Sequence, residues 1–318
     1  MATEQLPRVS VIEPVGEALG KVNAILFRPF NIGKWFTIGF CAWLAYLGKG
    51  GFGFNFPGRY GRPCSSGGEP FYQVKEFIVN NLPWVIFIGL FGLIIMVTVW
   101  LVLVWLRSRG DFMLLHCVAQ NKAEVKNPWS KFKEHANSLF LFRIVLHLIG
   151  FAAIGLPCII AGVFIFLVLS GTGSTMALLP VSIIFFLFVF ILSVAFLLAH
   201  KFTTDFVVPI MLLRTKSCTV AWREFLTMLS ANKGRFTLYI LFQIVIGIAI
   251  SAIILLAMIV TCCCGACFLA IPYIGTVLML PLFIFKRAYS VCYFGQFGPS
   301  FDVFSPQVTA RPDMPENP

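Results

Sequence analysis

Two charge pairs stand out because their spacing repeats. Arg107-Ser-Arg-Gly-Asp111-Phe112 and Lys201-Phe-Thr-Thr-Asp205-Phe206 each place a basic residue four positions before an aspartate. On a continuing helix that spacing puts both charges on one face. Each motif is followed by a tryptophan, Trp129 lying 18 residues after Asp111 and Trp222 lying 17 after Asp205. A third segment, Lys286-Arg287-Ala288-Tyr289-Ser290, keeps the basic residues and lacks the acid. Two chemistries fit. Asp111 and Asp205 could act as paired acids on a phosphate ester, or each pair could be a charge clamp that anchors a helix end. Charges at membrane boundaries usually anchor, which favours the clamp.

Other chemistry-bearing patterns are weaker. Cys264-x-x-Cys267, preceded by Cys262 and Cys263, has zinc-finger spacing but no second half-site to complete a tetrahedron, so it reads as a small-residue turn. Gly48-x-Gly50-x-x-Gly53 matches a nucleotide-binding fingerprint, yet no strand precedes it, and it reads as a glycine-rich loop. His116, His135, His147 and His200 are scattered without ligand spacing. No HExxH, GxSxG or phosphate-binding loop occurs. The sequence therefore nominates no catalytic residue, no metal ligand and no cofactor. Its candidate interface residues are Arg107, Asp111, Trp129, Lys201, Asp205 and Trp222.

The elements that must position them are membrane helices. Of 318 residues, 59% are hydrophobic and only 12% charged, about half the charge of a soluble chain. Residues 77–106, 144–200 and 236–285 contain no Asp, Glu, Lys or Arg. A span needs about 20 apolar residues, so the first run holds one helix and the longer runs two each. Gly171–Thr175 and Cys262–Gly265 supply the turns. With the short apolar stretch Trp35–Leu47, the predicted spans are 32–48, 84–106, 144–170, 180–200, 236–261 and 266–285, forming one all-α polytopic domain over 1–300. Residues 301–318 read as a disordered tail. No signal peptide is recognised at the N-terminus.

Six spans put both termini on one side, and that side carries 20 of the 24 Lys and Arg residues. The positive-inside rule makes it the cytoplasm. The net charge of +11 thus reflects topology rather than nucleic-acid binding. Three segments share one layout, an amphipathic helix leading into a membrane hairpin: Val15, Leu19, Val22, Leu26; Trp129, Phe132, Ala136, Leu139; and Trp222, Phe225, Leu226, Leu229. Such helices lie in the headgroup plane. The repeat is parallel, since each unit holds an even number of spans.

The segments LFRPFNIGKWFTIGFCAWLA (26–45), SRGDFMLLHCVAQNKAEVKNPWSKF (108–132), ANSLFLFR (136–143) and TDFVVPIMLLR (204–214) resemble a group of uncharacterised bacterial multi-span membrane proteins. That group is similar in layout to the membrane domain ahead of some glycerophosphoryl diester phosphodiesterases. The resemblance covers about residues 10–295. It implies a six-helix bundle with interfacial helices in a bacterial inner membrane, and no established activity. A phosphodiesterase barrel of ~250 residues has no room here.

Three functions follow. The preferred one is a non-enzymatic module that organises membrane lipids or partner membrane proteins. A transporter or permease subunit is the second, disfavoured because the long apolar runs carry no charge at membrane depth. A membrane enzyme acting on lipid headgroups through Asp111 and Asp205 is the third. Convergence of those two acids around one ligand would favour the enzyme, a buried polar cavity the permease, and separate solvent-facing acids the module.

Overall fold

The computed structural model describes residues 9–47, 81–167, 178–214, 217–261 and 271–304. The glycine-rich segment after Leu47, the turn at 171–175, the Cys262–Cys267 cluster and the last fourteen residues lie outside them. Among the described residues the fold is all helical.

Helix α1 spans Glu13–Leu26, with Pro14 in its first turn, and buries Ala18, Val22, Ile25 and Leu26 on one face. The second helix, α2, spans Ile32–Tyr46 and is capped by Asn31, whose side chain accepts from the Lys34 amide. Helix α3 runs unbroken from Leu82 to Gln120. It passes well beyond the predicted end at 106, because nothing between Arg107 and Gln120 breaks a helix. Asn121, with φ 54°, supplies the left-handed turn that stops it. A six-residue helix α4 (Lys126–Lys131) leads into α5 (Lys133–Gly150), then a π turn at Phe151–Gly155 and α6 (Leu156–Leu167). Helix α7 (Leu178–Phe202) continues through a second π turn, Thr203–Val207, into α8 (Val208–Arg214). Helices α9 (Cys218–Ala231) and α10 (Lys233–Val260) follow. The predicted span at 266–285 is instead two pieces, α11 (Pro272–Leu278) and α12 (Leu280–Gly295), separated at Met279 ahead of Pro281. The predicted tail begins as structure: Val303 is buried.

Among the described residues four stretches are long and apolar enough to cross a membrane: Leu82–Gln120, Lys133–Val163, Ser182–Arg214 and Lys233–Val260. The chain is a multi-pass membrane protein. At 15 residues α2 extends about 22 Å, short of a ~30 Å hydrocarbon core.

The core occupies one end of the bundle. Residues 108–118 of α3 are all buried, whereas Trp84–Val99 on the same helix are exposed or nearly so. Helix α2 runs antiparallel to the buried part. The Lys34 ammonium donates to Asn121 at 2.7 Å, Cys41 and Cys117 face each other with Sγ atoms 3.9 Å apart, and Gly110 meets the backbone of Leu44 and Ala45. A Cβ at Gly110 would come within 2.4 Å of the Ala45 nitrogen, so only glycine permits this approach. At the same end Phe206 packs on Phe225, Phe236, Tyr239 and Phe294, joining α7 to α9, α10 and α12. Tyr293 donates to the Arg235 carbonyl at 2.9 Å and Phe297 stacks on Phe236. Tyr289 donates to Val11, which brings the N-terminal segment to the same end.

Candidate functional site

The last charge before the 57-residue uncharged run is Arg143, on α5. It is 1% exposed. Its guanidinium forms an ion pair with Asp111 and donates to Ser108 Oγ at 3.1 Å and to Thr204 Oγ1 at 3.4 Å. Asp111 is therefore a buried acid rather than a wet interfacial one. It belongs to a buried pair that ties α3 to α5 and touches the π turn. Arg107, one turn before it, is half-buried, and its Nε has no partner.

The second expected pair does form within its own helix. Lys201 Nζ lies 2.8 Å from Asp205 Oδ2. Tyr239 donates to the same carboxylate oxygen at 2.9 Å, Gln243 donates to the Tyr239 hydroxyl at 3.0 Å, and Lys201 donates to Gln243 at 3.4 Å. Gln243 is the one side-chain amide in the run 236–285. It closes a four-member ring of hydrogen bonds between α7 and α10.

The π turn at Thr203–Val207 shifts the backbone bonding of that stretch. The Thr204 carbonyl accepts from Arg287 Nη1, on α12. Arg287 is 4% exposed, and its Nε and Nη2 are left without partners. π turns of this kind occur frequently at functional sites.

These groups surround one chamber of about 550 Å³, lined by Arg107, Asp111, His147, Lys201, Asp205 and Arg287 together with Tyr46, His200, Thr204, Gln243 and Lys286. His147 and His200, far apart in sequence, have ring centroids 4.7 Å apart. His147 Nδ1 lies 2.6 Å from the Arg143 carbonyl. A carbonyl can only accept, so Nδ1 carries the proton and Nε2 keeps the lone pair in the neutral ring. Lys286 is held below the ordinary lysine pKa, first by burial and then by Lys201, with Asp205 opposing.

Trp129 and Trp222 stand outside the chamber and brace it. The Arg109 guanidinium lies over both Trp105 and Trp129, 4.5 and 4.7 Å from the ring centres, and donates to the Trp129 carbonyl at 3.2 Å. Trp222 donates to Thr203 Oγ1 at 3.3 Å and stacks on Phe142. Helix α9 turns Ala221 and Phe225 into the protein core.

The sequence thus found four of the charged lining residues and missed how they are shared. Arg143 was concealed as a single charge within a helix rather than a member of a motif. The pairing of His147 with His200 has no spacing signature, because it depends on α5 lying beside α7.

Chemically, Arg107, Lys201, Lys286 and Arg287 line the chamber and Arg143 meets the lining Asp111, so these five basic side chains exceed the two carboxylates by three positive charges. Both carboxylates already hold a cation. Such a site suits an oxyanion, drawn by the charges of Arg107, Lys286 and Arg287 that line it.

No curated protein and no solved structure matches the chain. Nothing in these comparisons connects it to the membrane domain of glycerophosphoryl diester phosphodiesterases. A model described as a family of unknown function (DUF7544) matches residues 9–298, nearly the whole of the described fold, and the chain belongs to that family.

Proposed function

We propose that this protein is a non-enzymatic membrane module that holds an oxyanion of the phosphate class at the cytoplasmic face of the bilayer, with membrane lipids as its partners. The observation that carries the reading is the excess of three positive charges around one chamber, with N–H groups of Arg107 and Arg287 left unpartnered. Burying cations without counter-charge is costly, and a bound anion removes that cost.

The test is thermal unfolding of the detergent-purified chain titrated with inorganic phosphate. A ligand that binds only the folded state raises its stability as the logarithm of concentration over Kd. Phosphate is expected to raise the unfolding midpoint, and Arg107→Gln or Lys286→Gln to weaken the response about tenfold each, the worth of about 1.4 kcal/mol. No shift with phosphate, together with unchanged behaviour of both variants, overturns the proposal.

The proposed topology is six crossings with both termini cytoplasmic, built from three parallel units. It is supported by the contacts of Tyr293 with Arg235 and of Phe297 with Phe236. They require the chain to leave along α10 and return before residue 293. The bond from Tyr289 to Val11 supports the same reading for the N-terminal segment. The unit reading is supported by a short helix preceding a longer apolar one in α1–α2, α4–α5 and α9–α10.

A second reading, a hydrolase acting on lipid headgroups, is favoured by His147 and His200 sharing the chamber with Asp111 and Asp205. Against it, each aspartate is engaged by a cation and is a poor acid or base. Release of phosphate from a phosphomonoester lipid, abolished by His147→Ala, would replace the binding reading with this one.

A further inference from the structure

The wall of the chamber is not uniform. Leu197 and Ile244 line it beside the charged groups, yet they are 68% and 55% exposed. Leu197 lies one helical turn before Lys201 on α7, and Ile244 directly follows Gln243 on α10. The chamber is therefore open at this point, between two apolar helices, just above the Lys201–Gln243 bond that ties them together. Beyond that tie α7 is only partly covered: from Ser182 to Leu197 none of its residues is buried. Ile183, Phe186, Phe190 and Ile191 are all at least 60% exposed. A charged chamber whose mouth is apolar and faces a membrane helix surface is not built for a ligand that arrives from water alone. It fits an amphiphile, with its anionic group against Arg107, Lys286 and Arg287 and its chains lying along α7.

The size of the charge excess narrows the class. A phosphodiester carries one negative charge, whereas a phosphomonoester carries about −1.5 to −2 near neutral pH. Three uncompensated cations and two adjacent imidazoles are matched better by the monoester. The chamber, at about 550 Å³, holds a phosphate with its glycerol and leaves the chains outside.

We propose that the bound oxyanion is the headgroup of a phosphomonoester glycerolipid of the phosphatidate type, admitted sideways from the cytoplasmic leaflet between α7 and α10. This rests on the oxyanion-binding reading above and names its ligand.

The experiment uses the full chain, delipidated in detergent, and follows its thermal unfolding midpoint. The probes are phosphatidate in mixed micelles, phosphatidylcholine in the same micelles, and water-soluble glycerol 3-phosphate. Phosphatidate is expected to raise the midpoint, with an apparent affinity at least about tenfold above that of glycerol 3-phosphate, because apolar contact along α7 adds to the headgroup bonds. Phosphatidylcholine is expected to give no comparable rise. Leu197→Trp and Ile244→Trp add bulk at the mouth on exposed positions, where folding is not at risk. Each is expected to weaken the phosphatidate response about tenfold. Ile183→Trp, on the same helix but away from the chamber, is expected to leave it as it was. Equal responses to phosphatidate and glycerol 3-phosphate, or full phosphatidate binding by both mouth variants, overturn the lipid assignment and leave the anion site standing. A response to none of the anions overturns both.

Discussion

Asp111 and Arg143 lie 32 residues apart on different helices and form an ion pair whose side chains are 5% and 1% exposed. Removing one member of a buried pair strands the other charge, which costs about 3–5 kcal/mol. Asp111→Asn is therefore expected to lower the unfolding midpoint sharply. Replacing both members together, Asp111→Leu with Arg143→Met, is expected to recover much of the loss. Asp205→Asn loses an accessible lysine partner but keeps an acceptor for Tyr239, and about 1–2 kcal/mol is expected. Equal, small losses for the two aspartates in a thermal-melt comparison would contradict the assignment of Asp111 to a buried pair.

Gly110 tests the contact between α2 and α3. Adding a methyl group there forces the backbone at Leu44 and Ala45 to move, and Gly110→Ala is expected to destabilise by about 1–3 kcal/mol. Gly89, on the same helix, has nothing within 4 Å of where its Cβ would be. Gly89→Ala is expected to melt no lower than the parent. The comparison is a pair of melting curves at matched detergent.

Lys286 predicts a pH dependence for anion binding. Burial lowers its pKa in the free protein, so it loses its proton at a lower pH than an ordinary lysine. A phosphate bound beside it favours the charged form and raises that pKa. Binding therefore takes up a proton on the alkaline side. Affinity should rise as phosphate takes up its second negative charge near neutral pH. It should hold while Lys286 stays charged, and fall as pH rises through the lowered lysine pKa. Lys286→Met is expected to weaken binding and remove the alkaline fall. Phosphate titrations across pH for both proteins decide it.

Topology is tested by fusing reporters at residues 60 and 318. Six crossings predict an external signal from residue 60 and a cytoplasmic one from residue 318. A cytoplasmic signal from residue 60 would remove the crossing assigned to α2.

The long apolar helices were legible in the sequence because uncharged runs of 57 and 50 residues admit no other reading. Their true ends were not. Helix α3 overruns its apolar stretch by fourteen residues, since Arg107–Gln120 is itself good helix and Asn121 is the first position to take a left-handed turn. The Lys201–Asp205 pair could be read from its spacing because it is local. The pairing of Asp111 with Arg143 could not, because it depends on α5 lying against α3, and tertiary packing sets that. The third basic motif, Lys286-Arg287, looked like a degenerate copy lacking its acid. In the folded chain the missing acid is what leaves its guanidinium free to reach the Thr204 carbonyl and the chamber.

The concentration of buried residues at one end of the bundle has a consequence for how the protein responds to its surroundings. Between Trp84 and Val99 on α3, and from Ser182 to Leu197 on α7, no side chain is buried against another helix. The outer halves of these helices are held upright by hydrocarbon chains and not by each other. Bilayer thickness then acts on them as a lever. Thinning the membrane tilts α7 about its anchored base at Lys201, and that tilt changes the width of the gap beside Ile244. Reconstituted in lipids of graded chain length, the protein should keep a constant melting temperature while its ligand affinity varies with membrane thickness.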